Sequence, residues 1–210
     1  MKALSAFYSR ILPHLPGCPE PVVDQMLLTS AIEFCEKSQV LRQNLDSIST
    51  VADIGEYDLD SPSTQLIISR VLGVTADGIP LVGDMAESFP RYLPVDSGIP
   101  SSFYVDRTDS QFVLRLLPTP DDVYTLVTTV ALRPAMTATQ LEDDLYNRWI
   151  EPVVSGAIYR AMLLPDQPFT NYARAAQVQM ETARHITNSR IEGNYGHVRG
   201  SMRVRSRPFV

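Results

Sequence analysis

The spacing of apolar residues changes twice along these 210 residues, and the two changes dictate most of what the chain can become. Near the N-terminus Val23, Leu27, Ala31, Phe34 and Ser38 recur at intervals of three or four, with Leu28, Ile32 and Cys35 beside them. That spacing predicts an amphipathic helix running from just after Pro19 and Pro21 to about Ser38. Between Asn44 and Pro134 the period falls to two and turn residues multiply, and after Pro134 the helical period returns. A chain patterned in this way is α+β: a helical bundle core (1–42 and 135–192), an inserted antiparallel β region (43–134) and an extended C-terminal arm (193–210).

Within the outer parts, Ala3 to Leu12 predicts a short helix stopped by Pro13 and Pro16-Gly17. Leu141, Leu145, Trp149, Val153, Ala157 and Ala161 form one row of a long helix. Its start is marked by Thr139 with Glu142 or by Thr137 with Gln140, and Pro152 is expected inside it as a bend. Trp149 is expected to anchor this helix against the one bearing Phe34, with its indole N–H on a polar partner. A last helix is predicted from about Asn171 to Ile191, stopped at Gly193. Its row of Ala173, Ala176, Met180, Ala183 and Thr187 is small enough for another helix to come close.

Turn residues divide the middle region into six or seven strands. Asp53-Ile54-Gly55, Ala76-Asp77-Gly78 and Arg107-Thr108-Asp109-Ser110 each separate two alternating runs, a pattern expected of a meander folded as a sandwich or open barrel. Asp84 to Pro100, with three prolines, reads as an irregular excursion.

Charge is divided as sharply as periodicity. From Arg184 onward six Arg face the single Glu192, a formal +5, so with −6 overall residues 1–183 hold −11. A basic arm of opposite sign to its own body suits a partner surface. Tyr195, Met202, Val204 and Phe209 stand among Arg199, Arg203, Arg205 and Arg207, which favours docking on a partner over simple solvation. These eight residues are the candidate partner-binding set. Arg203, Arg205 and Arg207 alternate, so in an extended segment they project to one side, spaced for phosphates or carboxylates. An arm gripping nucleic acid is therefore an alternative reading, opposed by repulsion between DNA and the acidic body.

No chemistry-bearing constellation emerges, and neither a cofactor nor a metal is expected. His14, His185 and His197 lack zinc-ligand spacing, and Cys18 and Cys35 form no Cys-x-x-Cys pair. Cys35 is expected as a packed thiol and Cys18 as part of a turn; a hydrolase built on Cys35 or the histidines is the weakest alternative. Glu142-Asp143-Asp144 is explained by the favourable interaction of acids with a helix N-terminus. Gly193, Gly196 and Gly200 follow a helix instead of opening one, which fits a hinge better than a phosphate cradle. No apolar run spans a bilayer and the N-terminus is a poor secretory signal, so a cytoplasmic product is expected.

Several segments, taken in order, resemble the head-to-tail adaptor proteins of tailed bacteriophages. They are Ile32-Glu33-Phe34-Cys35, Tyr57-Asp58-Leu59, Asp77-Gly78-Ile79-Pro80-Leu81, Leu145-Tyr146-x-x-Trp149-Ile150-Glu151-Pro152-x-x-x-Gly156-Ala157 and Pro165-x-Gln167-Pro168-Phe169, followed by a long Ala-rich helix and the Arg-x-Arg-Pro-Phe ending. The resemblance implies a non-enzymatic virion protein at the head–tail junction, assembled in the host cytoplasm as a homo-oligomeric, dodecameric ring. It further implies portal protein above, tail, nozzle or tail-fibre proteins below, genomic DNA passing through the lumen, and a C-terminal arm reaching the portal.

Overall fold

Pro13 and Gly17 prevent the first segment from becoming one regular helix. It is instead a string of short turns: β1 (Lys2–Ala3), a 3-10 turn (Leu4–Phe7), α1 (Tyr8–Ile11) and a second 3-10 turn (Leu12–His14). Gly17, at φ 77°, closes the reversal that leaves Cys18 buried. α2 (Glu20–Ser38) then starts with Pro21 in its first turn, where a missing N–H costs nothing. It ends at Gln39, whose left-handed φ of 54° lets its N–H reach the Cys35 carbonyl at 2.9 Å. The expected face, Val23, Leu27, Ala31, Phe34 and Ser38, is buried together with Cys35. The structure is a computed structural model that describes residues 1–84, 96–108 and 111–195.

Tyr8 fastens the first segment to α2 by donating its hydroxyl to Asp24 at 2.8 Å. Burial, and then the bond to Asp24 and its charge, push the Tyr8 pKa up to about 12. A phenol held neutral in the fold but ionising near pH 10 when unfolded stabilises fully below about pH 10 and loses that contribution as pH rises toward 12. Tyr8→Phe should therefore unfold less steeply with rising pH between about 10 and 12. Tyr124, pushed up to about 12 by its bond to Asp121, retains a similar dependence in that variant. Urea midpoints measured across that range check this; identical slopes would contradict it.

The middle region forms β2 (Arg42–Asn44), β3 (Ile48–Ser49), β4 (Glu56–Leu59), β5 (Leu66–Ala76), β6 (Ile79–Pro80), β7 (Val82–Gly83), β8 (Ser97–Gly98), β9 (Ser102–Thr108), β10 (Gln111–Leu117), β11 (Thr119–Pro120) and β12 (Thr125–Pro134). The turn at Asp77-Gly78 is as expected, with both residues at positive φ, 47° and 80°, as a two-residue hairpin requires. The expected meander is not what forms. β12 pairs antiparallel with β5, although β6 to β11 intervene, in a sheet of order β2-β12-β5-β6 with β3 also on β12. A second sheet has the order β4-β10-β9-β7, and β7 lies parallel to β9, as β8 does to β11. Alternation identifies which face of a strand is buried but not which strand lies beside it; residues 84–101 supply the connection for the parallel return from β7 to β9, and residues 99–118, through β9 and β10, the one from β8 to β11.

β12 binds the two halves of the chain together. Leu126, Thr128, Val130 and Leu132 point to one side of it and are at most 3 % exposed, and α2 packs on this sheet. Arg133 reinforces that contact through Glu36 at 3.1 Å. One continuous core thus runs from Phe34 and Val153 on the helices to Leu116 and Leu126 on the strands.

Past β12 the chain departs from the predicted single long helix. β13 (Gln140–Leu141) pairs with β1, and the Thr139 N–H donates to the Gln65 side chain at 2.8 Å, so neither expected capping box forms. α3 (Asp143–Asn147) and α4 (Ile150–Met162) are separated at Arg148 and Trp149. The cause is Pro152, whose ring would clash with the Arg148 carbonyl in a continuous helix. Restarting at Ile150 moves Pro152 into a first turn, so it breaks the helix upstream and does not bend it. The predicted row is nonetheless buried at Leu141, Leu145, Val153, Ala157 and Ala161. α5 (Tyr172–Tyr195) is opened by Asn171, whose side-chain oxygen accepts the Arg174 N–H at 3.0 Å.

Candidate functional site

Two helix crossings set the position from which the arm departs. At the first, α4 comes so close to α2 that only glycine fits: a Cβ at Gly156 would overlap Ser30 Oγ and lie 3.1 Å from Ser30 Cβ. Ser30 is buried there and donates to the Val153 carbonyl at 2.7 Å. Glu33 completes the joint by bridging the Arg160 guanidinium of α4 and Lys37 of its own helix. Arg160 also donates to the Gly156 carbonyl at 2.7 Å and lies over the Tyr159 ring, 4.6 Å from its centroid. Gly156→Ala should thus destabilise the fold by about 1–3 kcal/mol through overpacking, even though alanine is the better helix former by about 1 kcal/mol. Thermal or urea unfolding checks it, and a stabilised variant would mean the crossing can relax. The motif containing Gly156 was visible in the sequence, and Glu33 stood in the quoted Ile32–Cys35 segment, whereas Ser30 and Arg160 were not singled out. The available signal was a small residue in each of two apolar helical rows.

Trp149 lies at the second joint, between α3 and α4. Its ring packs 5.9 Å from that of Phe34, as expected, and Arg148 covers it at 5.4 Å. The expected polar partner for the indole is not found: Nε1 is buried without an acceptor among the described residues. The Arg148 guanidinium above the ring supplies only donors, so it cannot accept from the indole.

α5 packs on α4 along Ala175, Val178, Thr182, Ile186 and Ser189, with Thr182 bonded to Ser155 at 3.0 Å. The row Ala173, Ala176, Met180, Ala183 and Thr187 faces away from the core and is exposed, Met180 by 60 %. Gly193 does not stop this helix, which continues to Tyr195. It lies beside Ser38, Val40 and Arg42, and a Cβ there would meet them at 3.7–3.8 Å, ordinary contact distances, so the packing does not require glycine. Gly193, where the hinge was expected to begin, is thus helical, and α5 passes the start of β2 there; Gly196 and Gly200 lie outside the described residues.

Of the eight candidate arm residues, Tyr195 closes α5, while Arg199, Met202, Arg203, Val204, Arg205, Arg207 and Phe209 lie outside the described residues. His197 lies outside them too. Cys35 is fully buried, with its thiol pushed far up by burial, and Cys18 is raised for the same reason. Both are thereby held as unreactive thiols. His14 meets Arg174 at 3.2 Å, and His185 is exposed on α5. Asp143 and Asp144 occupy the first turn of α3, as the macrodipole account requires. Asp143 also accepts the N-terminal ammonium at 2.8 Å, which lowers its pKa. No group of three or more His, Cys, Asp or Glu suited to a metal occurs among the described residues, and none of their helices is long and apolar enough to cross a membrane.

A family model matches most of the chain. The family model described as SU10 adaptor protein matches residues 10–205, which takes in the helices, both sheets and most of the arm. No curated protein matches the chain.

Proposed function

The chain belongs to the SU10 adaptor protein family, and from that premise we propose that it joins the head of a tailed phage to its tail as a ring beneath the portal. The observation that carries this reading is a match continuous across body and arm. In this reading twelve copies surround the DNA path, portal protein sits above, and tail, nozzle or tail-fibre proteins attach below. Residues 199–210 dock on the portal or on an adjacent copy through Met202, Val204 and Phe209, with Arg203, Arg205 and Arg207 on carboxylates. The −11 charge of residues 1–183 suits a lumen wall past which DNA slides without adhering. The exposed row on α5 suits the close approach of a neighbouring helix.

Incubating the full-length protein with purified portal-bearing heads tests the proposal. Co-sedimentation with those heads, and none with heads lacking portal, is expected. Equal recovery from both would contradict it. Binding to free duplex DNA that weakens steeply with salt would instead favour the nucleic-acid reading of the alternating Arg residues.

A further inference from the structure

Between the two sheets runs a groove of about 520 Å³, whose walls include Leu45, Asp46, Ile48, Asp58, Asp60 and Pro62. We propose that this groove is the docking site of the chain's own segment 199–210 in the unassembled protein. The inference rests on reading that segment as a docking arm and names the surface that holds it before a partner does.

The groove has two unlike walls. On one, Asp58 near the end of β4 and Asp60 just past it flank the buried Leu59, and both line the groove. On the other, Leu45 and Ile48 are half-buried and apolar, and Asp46 lies between them on the connection from β2 to β3. All three carboxylates are exposed, and none has an ion pair or side-chain hydrogen bond among the described residues. An extended segment carrying Arg203, Arg205 and Arg207 on one face and Met202 and Val204 on the other matches these walls in both charge and polarity.

The exit point of the arm makes the match local. α5 ends beside Arg42, and Gln43, the next residue of β2, already belongs to the groove. Asp46 is four positions along the chain from Arg42, at most about 13 Å even if fully extended. The described residues stop at Tyr195, and the fifteen that follow can reach roughly 50 Å when extended. The segment therefore reaches its own groove without a second copy, and the high effective concentration of a tethered ligand favours that arrangement.

The test uses the full chain with a nitroxide on Ser206→Cys, attached under native conditions in which Cys18 and Cys35 are 8 % and 0 % exposed. The amide signals of Leu45, Asp46, Ile48 and Asp58 should lose most of their intensity. They should recover it in 1 M salt, where screening shrinks to about 3 Å, and in Asp58→Asn/Asp60→Asn. Unaltered signals in the labelled chain, or broadening that the Asn variant leaves in place, would overturn the proposal. So would broadening seen in a mixture of nitroxide-bearing and isotope-labelled copies as strongly as within one copy, because the occupant would then be a neighbour's arm. Head binding by the same samples separates the two readings: a chain that shows the broadening but ignores portal-bearing heads refutes the adaptor role and leaves the groove standing.

Discussion

Replacing Trp149 with alanine should lower the unfolding free energy by about 3 kcal/mol, the low end of the range for removing a large aromatic from a core. The ring closes the joint between α3 and α4 against Phe34 and is covered by Arg148, so its removal opens a cavity where two helices and the core meet. The loss stays at the low end because the variant also removes a buried N–H that lacks an acceptor among the described residues. Trp149→Phe keeps most of the packing and discards the same N–H, so it should cost less than about 1.5 kcal/mol. Urea unfolding followed by circular dichroism measures both. An alanine variant as stable as the parent would place the ring against solvent or a partner.

Deleting residues 199–210 should abolish the joining of this protein to portal-bearing heads while leaving the body folded. The cut falls beyond Tyr195, the last described residue of α5, so none of the described helices is shortened and far-UV dichroism should be almost unchanged. What is lost is four Arg of the arm together with Met202, Val204 and Phe209, and neither set suffices alone if the interface needs both charge pairing and apolar anchoring. A truncated protein that still yields infectious particles would show that the arm is not the portal-binding element.

How far the sequence could be read depended on the range of the interactions involved. α2 was legible because its apolar row, its two prolines and its end near Ser38 are all local signals, and the Asp77-Gly78 hairpin was legible because its turn needs positive φ at two adjacent residues. The pairing of β5 with β12 was not legible, since period-two alternation carries no information about a partner many strands away. The break at Arg148 and Trp149 could have been found, because the proline clash falls four residues upstream and Pro152 was in plain view. Gly193 was misread as a helix stop, since a single glycine lowers helix propensity by only about 1 kcal/mol and the helix continues through it to Tyr195. The close helix contact of Gly156 on Ser30 left only a faint local trace, and the Asp46, Asp58 and Asp60 groove left none, because its walls come from segments separate in sequence. The arm is read from composition alone, from six Arg against one Glu after residue 183, and beyond Tyr195 it lies outside the described residues.

The most direct measurement is a reconstruction of the head–tail junction in virions that carry this protein. The account predicts twelve copies in one ring between portal and tail, with residues 199–210 in contact with portal or the next copy and acidic side chains of the body facing the DNA. A junction in which the ring is absent, or in which its lumen is lined mainly by Lys and Arg, would contradict it.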